Sequence, residues 1–129
     1  MVKQFKTSAH TAYNLNYHIV FCPRRRSKTL IGNIAQDLET SFRETIASLG
    51  GQVVSLAIMP DHVHLYVSMG PGLAPHQVVK ALKGRSAGPI CKKYPQVRRA
   101  SSLWSRAYYI GSIGVVCESI VKNYIASQK

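Results

Sequence analysis

A chain of 129 residues suits one compact domain that buries a core without staples, and 46% hydrophobic against 17% charged residues excludes a disordered tail. Seventeen Lys and Arg face five acids, and the net charge of +12 points to a polyanionic partner, with nucleic acid the first candidate. No apolar run of about eighteen residues is present to span a bilayer; the start lacks the apolar stretch of a secretory leader, and Cys22, Cys91 and Cys117 form no CxxC pair, so a cytoplasmic protein with reduced thiols is expected.

Residues 1–10 read as a loose lead-in. Residues 12–22 alternate, with Tyr13, Leu15, Tyr17, Ile19 and Phe21 on one face of a strand. Pro23 ends it, and Arg24-Arg25-Arg26-Ser27-Lys28 is a basic turn. Leu38, Phe42, Ile46 and Leu49 recur at helical spacing and predict a helix over 30–49, stopped by Gly50-Gly51. Residues 52–59 read as a second strand, Pro60-Asp61 as a tight turn, and 62–69 as a third strand closed by Gly70-Pro71-Gly72. A second helix is expected from Pro75 to about Tyr94, kinked or split by Gly84 and Gly88-Pro89. A basic loop follows, then a strand over 102–113 and a last helix over 115–129. This order predicts an α+β fold of the ferredoxin-like or RRM-like βαββαβ type, a single domain over 1–129. It has an antiparallel sheet, helices on one face and an added C-terminal helix.

The segment Met59-Pro60-Asp61-His62-Val63-His64-Leu65-Tyr66-Val67 carries the strongest chemical signal. A strand has a side-chain period of two, so His62 and His64 share one face while Val63, Leu65, Val67 and Met69 share the other. Two imidazoles side by side on a rigid strand are a start for a divalent-metal site. On the last helix Val116, Ile120, Tyr124 and Gln128 form one row, ending in a phenol and an amide. Were that row to pack near the histidines, two imidazole nitrogens and an amide oxygen could ligate a metal, with a phenol one turn away. That set suits phosphodiester cleavage by a tyrosine nucleophile. Each feature also has a plain alternative: a structural histidine pair, a packed tyrosine, a solvated glutamine. Composition and spacing reach a nucleic-acid-binding domain with a candidate metal site, and no further.

Four blocks carry a resemblance. Pro60-Asp61-His62-Val63-His64-Leu65 resembles the histidine–hydrophobic–histidine (HUH) motif of the smallest single-tyrosine transposases of prokaryotic insertion sequences. Tyr17-His18-Ile19-Val20-Phe21 with Pro23 and the arginine run is similar to that family's first strand, and Leu103-Trp104-Ser105-Arg106-Ala107-Tyr108-Tyr109 to its late strand. Tyr124-Ile125-Ala126-Ser127-Gln128 is similar to its catalytic helix. The resemblance implies Tyr124 as nucleophile and His62, His64 and Gln128 as ligands of Mg²⁺ or Mn²⁺. Asp61 would orient an imidazole. It implies single-stranded DNA with hairpins at element ends as substrate, and a 5′-phosphotyrosine intermediate. It also implies a homodimer whose active sites can be shared between subunits.

Independently of the resemblance, Arg24, Arg25, Arg26 and Lys28, then Lys80, Lys83 and Arg85, then Lys92, Lys93, Arg98 and Arg99 are candidate phosphate contacts. Tyr66, Trp104, Tyr108 and Tyr109 are candidates for stacking on bases, with core packing equally open to Trp104 and to one of the adjacent tyrosines. His18 and His76 are expected to be ordinary structural histidines, His18 a satisfied buried or edge one, and His10 in the lead-in is given no role. Two rivals remain. One is a domesticated, palindrome-specific HUH nuclease with the same site residues. The other is a non-catalytic RRM-like binder, disfavoured by the lack of an RNP-type aromatic motif.

Overall fold

The computed structural model describes residues 6–7, 12–13, 15–97, 102–112 and 118–127, with side chains described over 15–97, 102–112 and 123–127. Two short strands, β1 (Lys6–Thr7) and β2 (Ala12–Tyr13), form a small antiparallel pair. Part of the expected lead-in is therefore paired, and the expected first strand is divided into β2 and β3 (Leu15–Phe21). The main sheet also contains β4 (Gln52–Met59), β5 (His62–Met69) and β6 (Tyr109–Ser112). Its order is β4-β5-β3-β6, antiparallel throughout. With α1 (Gly32–Ser48) after β3, α2 (Pro75–Lys93) after β5 and α3 (Glu118–Ser127) last, this is the expected ferredoxin-like arrangement.

Hydrophobic burial selects the face of each element. Ile19 and Phe21 from β3, and Val63, Leu65, Val67 and Met69 from β5, are fully buried against Leu38, Phe42 and Ile46 of α1 and Val78, Val79 and Leu82 of α2. The Phe21 ring meets Phe42 and Trp104 edge-on, at 5.7 and 4.8 Å between centroids. Trp104 is thereby a core residue, and its indole N–H donates to Ser86 Oγ at 3.0 Å.

Helix α2 runs unbroken through Gly84, Gly88 and Pro89, which the sequence marks as breaks. Val78, Val79, Leu82, Ser86 and Ile90 hold one continuous buried face, and that packing outweighs the local propensities. At the end of α1, Gly50 takes a left-handed φ of +81°, and a Cβ on Gly51 would run into Met69 Sδ and the Ser68 carbonyl.

The late strand is shorter than expected. Between the pairs Val20–Tyr109 and Pro23–Trp104 the late segment spends four residues (105–108) against two (Phe21 and Cys22) on the facing segment, so it bulges out. The Lys83 ammonium holds this bulge, donating to the carbonyls of Ser105 (2.8 Å), Ala107 (3.0 Å) and Arg106 (3.3 Å). It lies 5.7 Å from the Phe21 centroid and 5.4 Å from that of Tyr108.

Candidate functional site

The face of the sheet away from α1 and α2 carries the candidate residues. Because Ile19 and Phe21 point to the core, His18, Val20 and Cys22 point the other way. Val20 pairs with His64 and His18 with Tyr66, so the β3 and β5 side chains interleave on this face. Val20 also pairs with Tyr109 of β6. His62 and His64 are half-buried neighbours with ring centroids 4.8 Å apart and planes at 73°.

Each of the two imidazoles is held at Nδ1. Asp61 Oδ1 accepts from His62 Nδ1 at 2.8 Å, and Asp61 Oδ2 pairs with Arg26 Nε at 2.9 Å. Burial alone would raise the Asp61 carboxyl, but the His62 hydrogen bond and the His62 and Arg26 charges together carry it below the usual carboxylate range. His64 Nδ1 lies 3.1 Å from His18 Nε2. Burial, then the neighbouring His62 and His18, push His64 down to about 4, so its imidazole is neutral at physiological pH. Both rings thus keep Nε2 for another partner. Two imidazole nitrogens on one face fit a divalent ion. Among the described residues no group of three or more His, Cys, Asp or Glu could hold one, so a third ligand has to be of another type or lie elsewhere. Gln128, the expected third ligand, lies outside the described residues.

Helix α3 packs over the same face of its own chain. Arg26 Nη1 donates to the Ile125 carbonyl at 2.9 Å, and the Tyr124 ring is 5.9 Å from that of Tyr109. Tyr109 in turn stands 6.1 Å from His18, edge to face. A chain of ring contacts therefore runs Tyr124–Tyr109–His18–His64. The Tyr124 hydroxyl is buried with no hydrogen-bond partner among the described residues, and burial, with Cys22 nearby, pushes it up to about 12. Arg26 reaches both Asp61 and α3 from a strained turn: Arg25 and Arg26 have φ of +58° and +52°. Left-handed backbone costs a non-glycine residue on the order of 1–2 kcal/mol.

The basic candidates divide by their surroundings. Arg24, Lys80 and Lys83, joined by Arg106 and His76, line a cleft of about 640 Å³ between α2 and the bulge, with Tyr108 and the edge of Trp104 in its wall. Lys83 contributes charge there, but its ammonium is already engaged by three carbonyls, and burial lowers it to about 8. Arg25 and Lys28 are exposed next to the cleft's Arg24 in sequence. Lys92 is exposed, whereas Lys93 pairs with Asp37 at 2.9 Å and Arg85 donates to Ser48 Oγ at 2.6 Å. Arg98 and Arg99 lie outside the described residues. Of the stacking candidates, Tyr66 is spent on His18 at 4.4 Å, while Tyr108 and Tyr109 face opposite sides of the sheet as strand parity requires. His18 departs from its expected role: its Nδ1 is buried with no partner among the described residues. The signal was present in the alternation of the first strand, which sets His18 on the same non-core face as the HxH pair.

Comparison with known proteins converges on one assignment. Residues 11–128 match the family model described as "Transposase IS200 like". The ISDra2 transposase TnpA of Deinococcus radiodurans is 34% identical over 128 residues, which cover 97% of this chain and 91% of that protein. The transposase of insertion sequence element IS200 from Salmonella typhimurium is 25% identical, over 95% of this chain and 82% of that protein. Among solved structures, a Deinococcus radiodurans protein crystallised under assignment as a transposase superposes with a TM-score of 0.89 at 28% identity, covering 95% of this chain and 97% of that one. A REP-associated tyrosine transposase bound to a REP hairpin shares the fold, with a TM-score of 0.58 at 13% identity over 92% of this chain and 68% of that one. Together with the HxH pair and the tyrosine helix on one sheet face, these matches establish that the chain belongs to the IS200-like transposase family.

Proposed function

We propose that this transposase cuts and rejoins single-stranded DNA at hairpin-bearing element ends, with Tyr124 as the nucleophile and a divalent cation as cofactor. The observation that carries the reading is the convergence of His62, His64 and Tyr124 on one face of the sheet, linked through His18 and Tyr109. Nε2 of His62 and of His64 would hold Mg²⁺ or Mn²⁺, with the Gln128 amide oxygen as third ligand. When bound, the ion supplies Lewis-acid charge at a non-bridging phosphate oxygen.

The remaining steps belong to the protein. The Tyr124 oxygen attacks phosphorus in line with the departing 3′ oxygen. A P–O bond to Tyr124 forms, the P–O3′ bond breaks, and the phenol proton is lost as the 3′ oxygen gains one. The 5′-phosphotyrosine keeps the phosphodiester's energy, so a free 3′-hydroxyl can reverse the step on a second strand without ATP. Asp61, held by Arg26, keeps the His62 ring in one orientation.

The cleft lined by Arg24, Lys80, Lys83 and Arg106 is the proposed hairpin-binding surface, because it combines phosphate-seeking charge with an aromatic wall. That a protein of the same fold is bound to a hairpin supports hairpin binding as such. The reading includes a homodimer. The outer strand β4 is bulged at Val54 and exposes Val54 and Met59, giving a second copy apolar surface to cover.

The test is incubation with single-stranded hairpin ends, with and without Mg²⁺, followed on a denaturing gel. A covalent band that needs the metal and disappears in Tyr124→Phe, while hairpin binding persists, is expected. An adduct surviving in Tyr124→Phe would reassign the nucleophile.

A further inference from the structure

His18 is 4% exposed, its ring nearly coplanar with that of His64 (14°, centroids 5.4 Å apart) and packed against Tyr66 at 4.4 Å. Its Nε2 and His64 Nδ1, 3.1 Å apart, must share a single proton when both rings are neutral. Two arrangements exist. In the first, His18 Nε2 carries the proton. His64 then accepts at Nδ1 and bears its own hydrogen on Nε2, where no lone pair is left for a cation. His18 Nδ1 becomes a bare, buried acceptor. In the second, His64 Nδ1 carries the proton and donates it to His18 Nε2. His64 Nε2 is then an open lone pair, and the buried His18 Nδ1 is an N–H.

The surroundings favour the second. The His18 ring stacks on Tyr66 and stands at 75° to Tyr109, so its orphaned, buried Nδ1 lies among electron-rich aromatic rings. An N–H is better suited to that setting than a bare lone pair. The same logic already operates on the neighbouring ligand, where Asp61 accepts at His62 Nδ1 and leaves Nε2 open.

We infer that His18 is a positioning residue which fixes His64 as its Nδ1–H tautomer and presents the His64 Nε2 lone pair to the divalent cation. The inference rests on the metal-dependent reading above. It gives the two histidines matched roles through unlike partners, a carboxylate for His62 and a neutral imidazole for His64.

Two measurements on the full chain test it. Long-range ¹H–¹⁵N spectra of the metal-free protein report the tautomer directly, and a bare Nε2 on His64 is expected. Titration with Mn²⁺ alone, followed by loss of the free-ion EPR signal, reports affinity. His18→Phe keeps the ring and removes the acceptor, and about tenfold or more weaker Mn²⁺ binding is expected. His18→Gln places an amide oxygen near the lost Nε2 and is expected to hold close to wild-type affinity. A proton on His64 Nε2 in the wild type overturns the inference. So does a His18→Phe chain that binds Mn²⁺ as the wild type does. If the wild type takes up no Mn²⁺, the metal reading itself fails and this inference falls with it. The tautomer spectrum is read on the wild type, so it decides the matter even where His18→Phe folds poorly.

Discussion

Tyr124 is held in a state opposite to the one its proposed chemistry needs. A nucleophile must reach phosphorus and shed a proton, yet this hydroxyl is buried, unpartnered and pushed up to about 12. A raised phenol favours the protonated, docked state. The stability it lends is complete below about pH 10, the ordinary tyrosine range, and is lost as pH climbs through the folded value. Alkaline titration of the DNA-free protein should therefore show one phenol ionising last, near pH 12. Tyr124→Phe should delete that component, and a late component that survives the substitution would contradict the buried geometry. At this scale the sequence was legible wherever strand parity decides the outcome. The period of two set His62 and His64 on one face and Tyr108 and Tyr109 on opposite faces. It also set His18 with the HxH pair, but whether a buried imidazole is satisfied depends on neighbours from other strands, which one strand's pattern cannot supply.

Helix α3 is anchored to the body of the domain by Arg26. The Arg26 guanidinium joins the Ile125 carbonyl to Asp61, and two left-handed residues are tolerated to bring it there. A hydrogen bond from a charged donor contributes about 1.5–3 kcal/mol. In Arg26→Ala, amide exchange in 118–127 should accelerate by roughly tenfold or more, with β3 and β5 unchanged. Unchanged exchange in α3 would mean that the anchor contributes nothing. Elements whose boundaries rest on local chemistry were readable: Gly50-Gly51 ends α1, and Pro60-Asp61 turns β4 into β5. Those remade by tertiary contacts were not. α2 crosses Pro89 because its buried face is continuous, and the late strand is interrupted because Lys83 draws three carbonyls out of line.

In the whole molecule, the order of strands and helices was sufficient to give the ferredoxin-like sheet, since βαββαβ connectivity with short links leaves few alternatives. What linear order cannot show is which sheet a terminal helix serves. Docked on its own chain, α3 leaves the Tyr124 hydroxyl shut in, so the proposed attack by Tyr124 requires an arrangement different from this one. A C2 dimer offers the helix a second sheet. Heterodimers pairing a Tyr124→Phe subunit with a His64→Ala subunit should recover part of the cleavage activity, because one intact histidine pair can then meet one intact tyrosine across the interface. No recovery in verified heterodimers would assign every cut to a single chain.

The enclosed phenol also bears on how such an enzyme coexists with its host. Replication, repair and transcription expose single strands continually, and an enzyme always ready to attack phosphodiesters would nick them. On the mechanism proposed above, the enclosed Tyr124 hydroxyl makes chance encounter insufficient. Damage would then be restrained by a conformational threshold, crossed only by a strand able to dislodge the helix.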